Sequence, residues 1–245
     1  MISKFGLIII GDELLFGNRI DKHQAHFQTL LRQHGKQLTR CWILPDEQQS
    51  LIRHLSFSMC EQIPVFVCGG IGATPDDLTR NCAAEASGVS IERHSEAKKL
   101  IEGQFGESAY PTRIKMADLP SGCKLIPNPH NQIPGFTINH HYFLPGFPEM
   151  AWPMAEWVLK EYYSGTLKNF QERSLLVLNT PESSLVPLMD EMNLQLTDLK
   201  LFSLPKFNSK GCIELGLRGD GEIDSAFETL QKALIEYGIP FQKFE

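Results

Sequence analysis

The sequence predicts an α/β protein. A three-layer α/β/α domain with a mostly parallel sheet is expected over residues 1–165, followed by a small α+β domain over residues 166–245. Three observations predict it. Apolar runs such as Phe5–Ile10 and Val65–Cys68 are continuous rather than alternating, as in strands buried on both faces of a parallel sheet. Helical segments separate these runs, and their lengths suit right-handed crossovers with helices on both faces. After a polar stretch from Ser164 to Arg173 the pattern becomes strand, helix, strand, strand, helix, strand, a split β-α-β arrangement.

Each element has a local reason. Phe5–Ile10 is isoleucine-rich and is closed by Gly11. A helix over Asp21–His34 carries Phe27, Leu30 and Leu31 on one face and stops at Gly35. Leu38–Leu44 is a second strand, ended by Pro45. Glu47–Glu61 places Leu51, Ile52, Leu55 and Met59 at helical spacing, and Pro64 breaks it. Val65–Cys68 is the third buried strand, ended by Gly69-Gly70. Helices over Asp77–Ser87 and Ser95–Glu107 follow. Residues 108–149 are proline-rich, with short strand-like pieces at Lys124–Ile126, Phe136–Ile138 and Tyr142–Leu144. A helix over Glu149–Tyr163 puts Met150, Met154, Trp157 and Val158 on one face, a stripe that belongs to a core.

In the second part, strands are expected at Ser174–Leu178, Leu199–Leu204, Cys212–Leu217 and Pro240–Phe244. One helix starts near Ser184 and runs to Met192, with Pro187 in its first turn, where a missing amide is tolerated. The last helix, Ile223–Tyr237, aligns Ile223, Phe227, Leu230, Leu234 and Tyr237, and Gly238 stops it.

Composition narrows the function. The chain has 245 residues, 42% hydrophobic and 21% charged, which is ordinary for a globular protein able to bury a core. The net charge is −6 and the longest basic run is Lys98-Lys99, which argues against a nucleic-acid partner and against a polybasic membrane contact. The N-terminal apolar run, Phe5 to Ile10, is too short to span a membrane and lacks a cleavage pattern. The six cysteines form no C-x-x-C pair and read as buried free thiols, so a reduced, cytoplasmic protein is expected.

Three acidic sites follow three strands: Asp12-Glu13, Asp46-Glu47 and Asp76-Asp77. In a parallel sheet all three lie at the carboxyl edge, where open α/β sheets bind ligands. Carboxylates gathered there repel one another unless a cation sits among them, and a divalent metal with oxygen ligands is the natural candidate. Each acid taken singly also suits a helix cap. The same edge receives Gly69, Gly70 and Gly72, which let the backbone approach a ligand closely. With a helix directly behind them, they predict an anion site, most simply for phosphate. No Gly-Lys-Ser/Thr follows and the third glycine of a dinucleotide fingerprint is missing, so neither an ATPase loop nor an ordinary nicotinamide dehydrogenase is indicated. There is no G-x-S-x-G elbow. His140 and His141 are adjacent and read as surface or turn residues, whereas His23 is placed near the crevice. Two further loops, Pro127–Gly135 and Leu144–Met150, present polar groups on rigid backbone.

Taken together, Ile10-Gly-Asp-Glu-Leu-Leu-Phe-Gly17, Cys68-Gly-Gly-Ile-Gly-Ala-Thr-Pro-Asp-Asp-Leu-Thr79 and Leu144-Pro-Gly-Phe-Pro-Glu-Met150 resemble the MoaB/Mog molybdopterin-binding domain family, closest to its CinA-like branch. The resemblance covers residues 3 to 163, and the tail from 174 resembles the KH-like domain that follows in CinA-type proteins, here without a GXXG loop. It leaves no room for the separate amidase domain of longer CinA proteins. It implies Asp77, Asp46, Asp12 and Glu13 as catalytic carboxylates, with Asp46 and Asp77 holding a divalent metal (Mg, Mn or Co). It implies ligand contacts from Gly69, Gly70, Gly72, Thr74, Asp76, Thr79, Asn128, Gly135, Pro145 and Gly146. Relatives often carry Asp-Thr-Asn where this chain has Asp21-Lys22-His23, and a Gly-Thr-Ala where it has Asn131-Gln132-Ile133.

The expected partner is a small phosphorylated ligand, with molybdopterin among the candidates, bound by a homo-oligomer (dimer or trimer). One reading is a metal-dependent pyrophosphatase of ADP-ribose- or FAD-like substrates. The others are a non-catalytic module retaining a phosphorylated pterin or nucleotide, and adenylyl transfer to molybdopterin.

Overall fold

The computed structural model describes residues 3–164, 170–206 and 211–243. Two compact units are present, Met1–Leu167 and Lys168–Glu245. The boundary expected between residues 165 and 166 lies outside the described residues, as does Phe244 of the expected last strand.

Unit 1 begins with β1 (Lys4–Ile10), a short α1 (Asp12–Leu15), α2 (His23–Gln33), β2 (Gln37–Leu44), α3 (Gln48–Cys60) and β3 (Val65–Cys68). It continues through α4 (Thr79–Ser87), β4 (Ile91–Arg93), α5 (Ser95–Phe105), β5 (Asp118–Pro120), β6 (Lys124–Ile126), β7 (Gly135–Ile138), β8 (His141–Leu144) and α6 (Pro148–Tyr163). The main sheet has the order β2-β1-β3-β8-β7-β6. β2, β1, β3 and β8 run parallel, and β7 and β6 close the edge antiparallel. β4 and β5 form a separate antiparallel pair that the sequence reading did not foresee, because three residues are too few to show a period.

The continuous apolar run of β1 is explained by two cores. Ile8 and Ile10 face one cluster with Leu51, Leu55, Cys82 and Ile101. Phe5, Leu7 and Ile9 face the other, with Phe27, Leu31, Met154 and Val158. A strand with helices on both faces buries every side chain. The chain passes from β1 to β2 on one side and then from β2 to β3 on the other side of β1, so the order of connection switches between β1 and β3. That is where an open α/β sheet leaves a crevice at its carboxyl edge.

β7 and β8 are joined by Asn139 and His140, with φ of 48° and 59°. Two successive left-handed residues make the hairpin turn that matches strand twist. His140 is exposed there, as a turn residue should be. His141, expected at the surface, is instead fully buried. Its Nδ1–H donates to the Asn139 carbonyl (2.9 Å), and Ser58 Oγ lies 2.8 Å from its Nε2. The next strand residue after a tight turn points into the core, and Ser58 on α3 supplies the partner that makes this tolerable.

The cysteines are free, as expected, but not uniformly buried. Cys68, Cys82 and Cys123 are buried, Cys41 and Cys212 half-buried, and Cys60 is exposed at the end of α3. No helix among the described residues is long and apolar enough to cross a membrane.

Unit 2 comprises β9 (Gln171–Val177), α7 (Val186–Gln195), β10 (Leu199–Lys206), β11 (Cys212–Gly219), α8 (Ile223–Glu236) and β12 (Phe241–Lys243). Its sheet is antiparallel throughout, in the order β10-β11-β9-β12. This is the split β-α-β arrangement read from the element order. Strands separate its two helices among the described residues, in keeping with a small α+β region without a GXXG loop. Leu175, Val177, Leu215 and Leu217 pack against Leu188, Leu230 and Leu234 to form its core.

Candidate functional site

A cavity of about 520 Å³ opens at the carboxyl edge of the main sheet in unit 1. That volume suits a small molecule. Its floor is the segment after β3. Gly69 follows the strand with φ +116°, and a Cβ there would stand 2.3 Å from the Ile10 carbonyl oxygen. Only glycine lets the ends of β1 and β3 approach this closely. The Gly69 amide donates to the Leu144 carbonyl at 3.0 Å, tying the floor to β8.

The loop closes on itself through Asp77. Its Oδ2 accepts from the Thr74 amide (2.9 Å) and from Thr74 Oγ1 (2.5 Å). The Asp77 carboxylate also lies over Gly72, where a Cβ would meet Oδ2 at 2.5 Å. The amides of Gly70, Ile71, Gly72 and Ala73 donate to no protein acceptor among the described residues. The sequence reading placed a helix directly behind the glycines, and this is corrected. α4 starts only at Thr79, whose amide is spent on the Gly70 carbonyl at 3.0 Å. Pro75 restricts Thr74 to extended backbone and delays the helix by a turn.

Arg80 braces this loop from behind. It is 8% exposed, and its guanidinium donates to the Gly72 carbonyl (2.7 Å), the Asp118 carbonyl (3.0 Å) and the Lys115 carbonyl. Burial pulls its pKa down, while Asp77 and Asp118 push it up. Arg80→Met leaves the three carbonyls without this donor. It is expected to cost about 2 kcal/mol, a fall in Tm of roughly 4–8 °C by scanning calorimetry, together with weaker binding at the cavity.

The carboxylates converge as the strand ends predict. Glu13, Asp46, Asp76 and Asp77 all line the cavity. Asp12 does not; it is exposed, and its amide donates to Asp46 Oδ2 at 3.1 Å. Asp46 therefore caps the short α1 while facing the cavity. Burial raises the Asp46 carboxyl above the ordinary carboxylate range, and Asp12, Glu13 and Asp76 push it the same way, against the Asp12 amide.

Gly69, Gly70, Gly72, Thr74, Asn128, Pro145 and Gly146 also line the cavity. Two expected ligand residues do not. Thr79 is fully buried and donates from Oγ1 to the Gly69 carbonyl at 3.0 Å, so it shapes the loop. Gly135 lies inside β7, where a Cβ would meet the Phe143 carbonyl oxygen at 2.3 Å and Met154 Cε at 2.8 Å. Its glycine is demanded by packing.

Asn128 is buried and organises the loop that follows β6. Its Nδ2 donates to Asn131 Oδ1 (2.8 Å), and its Oδ1 accepts from the His130 amide (3.0 Å). Opposite, His23 at the start of α2 donates from Nε2 to the Gly146 carbonyl at 3.0 Å, since a carbonyl only accepts. That fixes the Pro145–Phe147 wall.

Sequence reasoning missed the apolar lining: Ile71, Met116, Ile133, Phe147 and Met150. It also missed Arg19. Arg19 was accessible to inspection, since it lies between two recognised segments after β1. Met116 was not, because nothing local to it marks a ligand.

With this geometry established, comparison with known proteins is informative. The family model described as "Probable molybdopterin binding domain" matches residues 6–164. The chain belongs to this family. Within it, this molybdopterin-binding-domain protein is CinA-like. The CinA-like protein of Geobacter sp. (strain M21) is 33% identical over 196 residues, covering 76% of this chain and 47% of that protein. The chain thus spans about half the length of the CinA-like relatives it matches first. A protein of Pyrococcus furiosus is 30% identical over 249 residues, covering 94% of this chain and 97% of its own. The solved structure of the CinA protein of Thermoplasma acidophilum superposes with a TM-score of 0.59 at 26% identity, over 65% of this chain and 98% of that one.

Proposed function

We propose that the cavity of unit 1 binds a phosphorylated pterin or nucleotide and that, with a divalent metal ion, it hydrolyses the pyrophosphate bond of an ADP-ribose- or FAD-like substrate. The observation that carries this is the row of unspent amides from Gly70 to Ala73 in one cavity with the carboxylates that end β1, β2 and β3. Amides take the phosphate. Apolar walls from Ile71, Ile133 and Met150 take a flat ring.

No group of three or more His, Cys, Asp or Glu side chains among the described residues forms a ready-made metal site. An ion held by one or two carboxylates and completed by phosphate oxygens, the ordinary mode for magnesium, needs no such group. Asp46 and Asp77 would hold it, and Asp77 Oδ1 accepts no hydrogen bond among the described residues. Such an ion neutralises phosphate charge and acidifies bound water. Glu13, which also lines the cavity, suits the acceptance of a proton from the attacking water. The loop amides stabilise charge that develops on the phosphate they hold.

One observation favours a second reading, a module that retains its ligand without turnover. Asp77 Oδ2 is already committed to Thr74, as in a residue that serves only to close a loop.

Product chromatography separates the readings. Wild-type protein incubated with ADP-ribose, FAD or NAD and Mg²⁺, Mn²⁺ or Co²⁺ is expected to release AMP. Asp77→Asn keeps one carboxamide oxygen for Thr74, so Tm is expected to move little while AMP release falls roughly a hundredfold. A fully active Asp77→Asn overturns the assigned role. Absence of turnover, with Tm still raised by AMP or ADP-ribose, replaces the hydrolase with the binding module.

A further inference from the structure

We propose that Arg19 is a specificity-determining residue that makes this cavity a diphosphate site by gripping the second phosphate of the ligand. The inference deepens the phosphate-ligand reading of the cavity and rests on it.

Arg19 is the only lysine or arginine among the described residues lining the cavity. It faces Glu13, Asp46, Asp76 and Asp77 there, an environment that repels a polyanion unless cationic charge is supplied. The loop amides are neutral dipoles and provide for one phosphate. A second phosphate brings further negative charge toward those carboxylates and needs a charged partner.

Arg19 is available for that work. Its Nη1 makes only a loose, exposed ion pair with Glu13 Oε1, at 3.8 Å and beyond hydrogen-bond distance, and its side chain is 68% exposed. Arg80 provides the contrast, because it is buried and its Nη1 and Nη2 are spent on three carbonyls. The Arg19 backbone is nevertheless placed, since its amide donates to the Glu13 carbonyl at 3.0 Å. The planar guanidinium matches phosphate oxygens two at a time, and exchanging an exposed ion pair with a carboxylate for one with a phosphate costs little.

The test is a titration of the full chain by calorimetry at fixed ionic strength, with and without Mg²⁺. The probes are inorganic phosphate against diphosphate, and AMP against ADP. Wild type is expected to prefer the diphosphate member of each pair. Arg19→Gln is expected to weaken diphosphate and ADP roughly 10- to 100-fold while leaving phosphate and AMP within about threefold. Arg19→Lys is expected to recover part of the loss. Arg19→Gln that binds ADP as wild type does, or that loses AMP and ADP equally, overturns the inference and leaves the phosphate site standing. Wild type that binds none of the four probes overturns the phosphate-site reading itself, and the inference with it.

Discussion

Gly69→Ala is expected to lower Tm by roughly 8–16 °C and to abolish binding of ADP or diphosphate. Two costs combine. At φ +116° an L-residue is strained, at about 1–3 kcal/mol. The new Cβ would also stand 2.3 Å from the Ile10 carbonyl oxygen, which belongs to the backbone and cannot swing aside. Relieving such a clash in a packed interior costs a further ~1–3 kcal/mol. About 4 kcal/mol in total converts to the stated shift for a domain of this size. Binding is lost for a separate reason. The Gly69 amide is hydrogen-bonded to the Leu144 carbonyl, so moving the residue displaces the start of the amide row and its link to β8. Calorimetric melting read beside titration distinguishes the two. Unchanged melting would show that the β1–β3 approach is looser than described.

The second large effect concerns pH. Burial drives His141 down to about 4, with the adjacent His140 acting the same way and the Asn139 carbonyl opposing. In the unfolded chain the imidazole titrates near 6.5. Above that value both states are neutral and the contribution to stability is complete. Between about 6.5 and 4 the unfolded chain binds a proton that the folded one refuses, so stability falls as the pH falls. Below about 4 both states are protonated and the loss is complete, on the order of 3 kcal/mol. Urea denaturation at intervals from pH 7.5 to 4.5 is expected to show this decline. In the double variant Ser58→Ala, His141→Phe it should be shallower, because the titrating group and its hydroxyl partner are removed together. Equal slopes in the two proteins would assign the acid sensitivity elsewhere.

These positions show where the sequence is informative. Val65–Cys68 can be read directly, since four apolar residues between a proline and two glycines form a short buried strand in any parallel sheet. The convergence of Asp46 with Asp76 and Asp77 was also legible, because parallel strands that end alike bring their following residues to one edge. Residue roles within that edge were not. Thr79 and Asp77 are two positions apart in one motif, yet one is fully buried beneath the loop and the other lines the cavity. His140 and His141 are adjacent and identical, and a two-residue turn sends one to solvent and the other into the core.

The sequence by itself determined the layer order, the mostly parallel sheet, the split β-α-β pattern of the second unit and the edge at which the acidic residues gather. Each of these follows from local periodicity and connection length, which the chain carries in its covalent order. Tertiary structure alone decided which glycines line the cavity and which lie away from it, as Gly70 and Gly135 illustrate. It also decided that a row of amides without protein acceptors among the described residues, and not a helix end, lies in the cavity loop, and that Arg19, Met116 and Ile133 complete the cavity. Those outcomes depend on distances between residues far apart in the chain, and such distances are set by how layers pack.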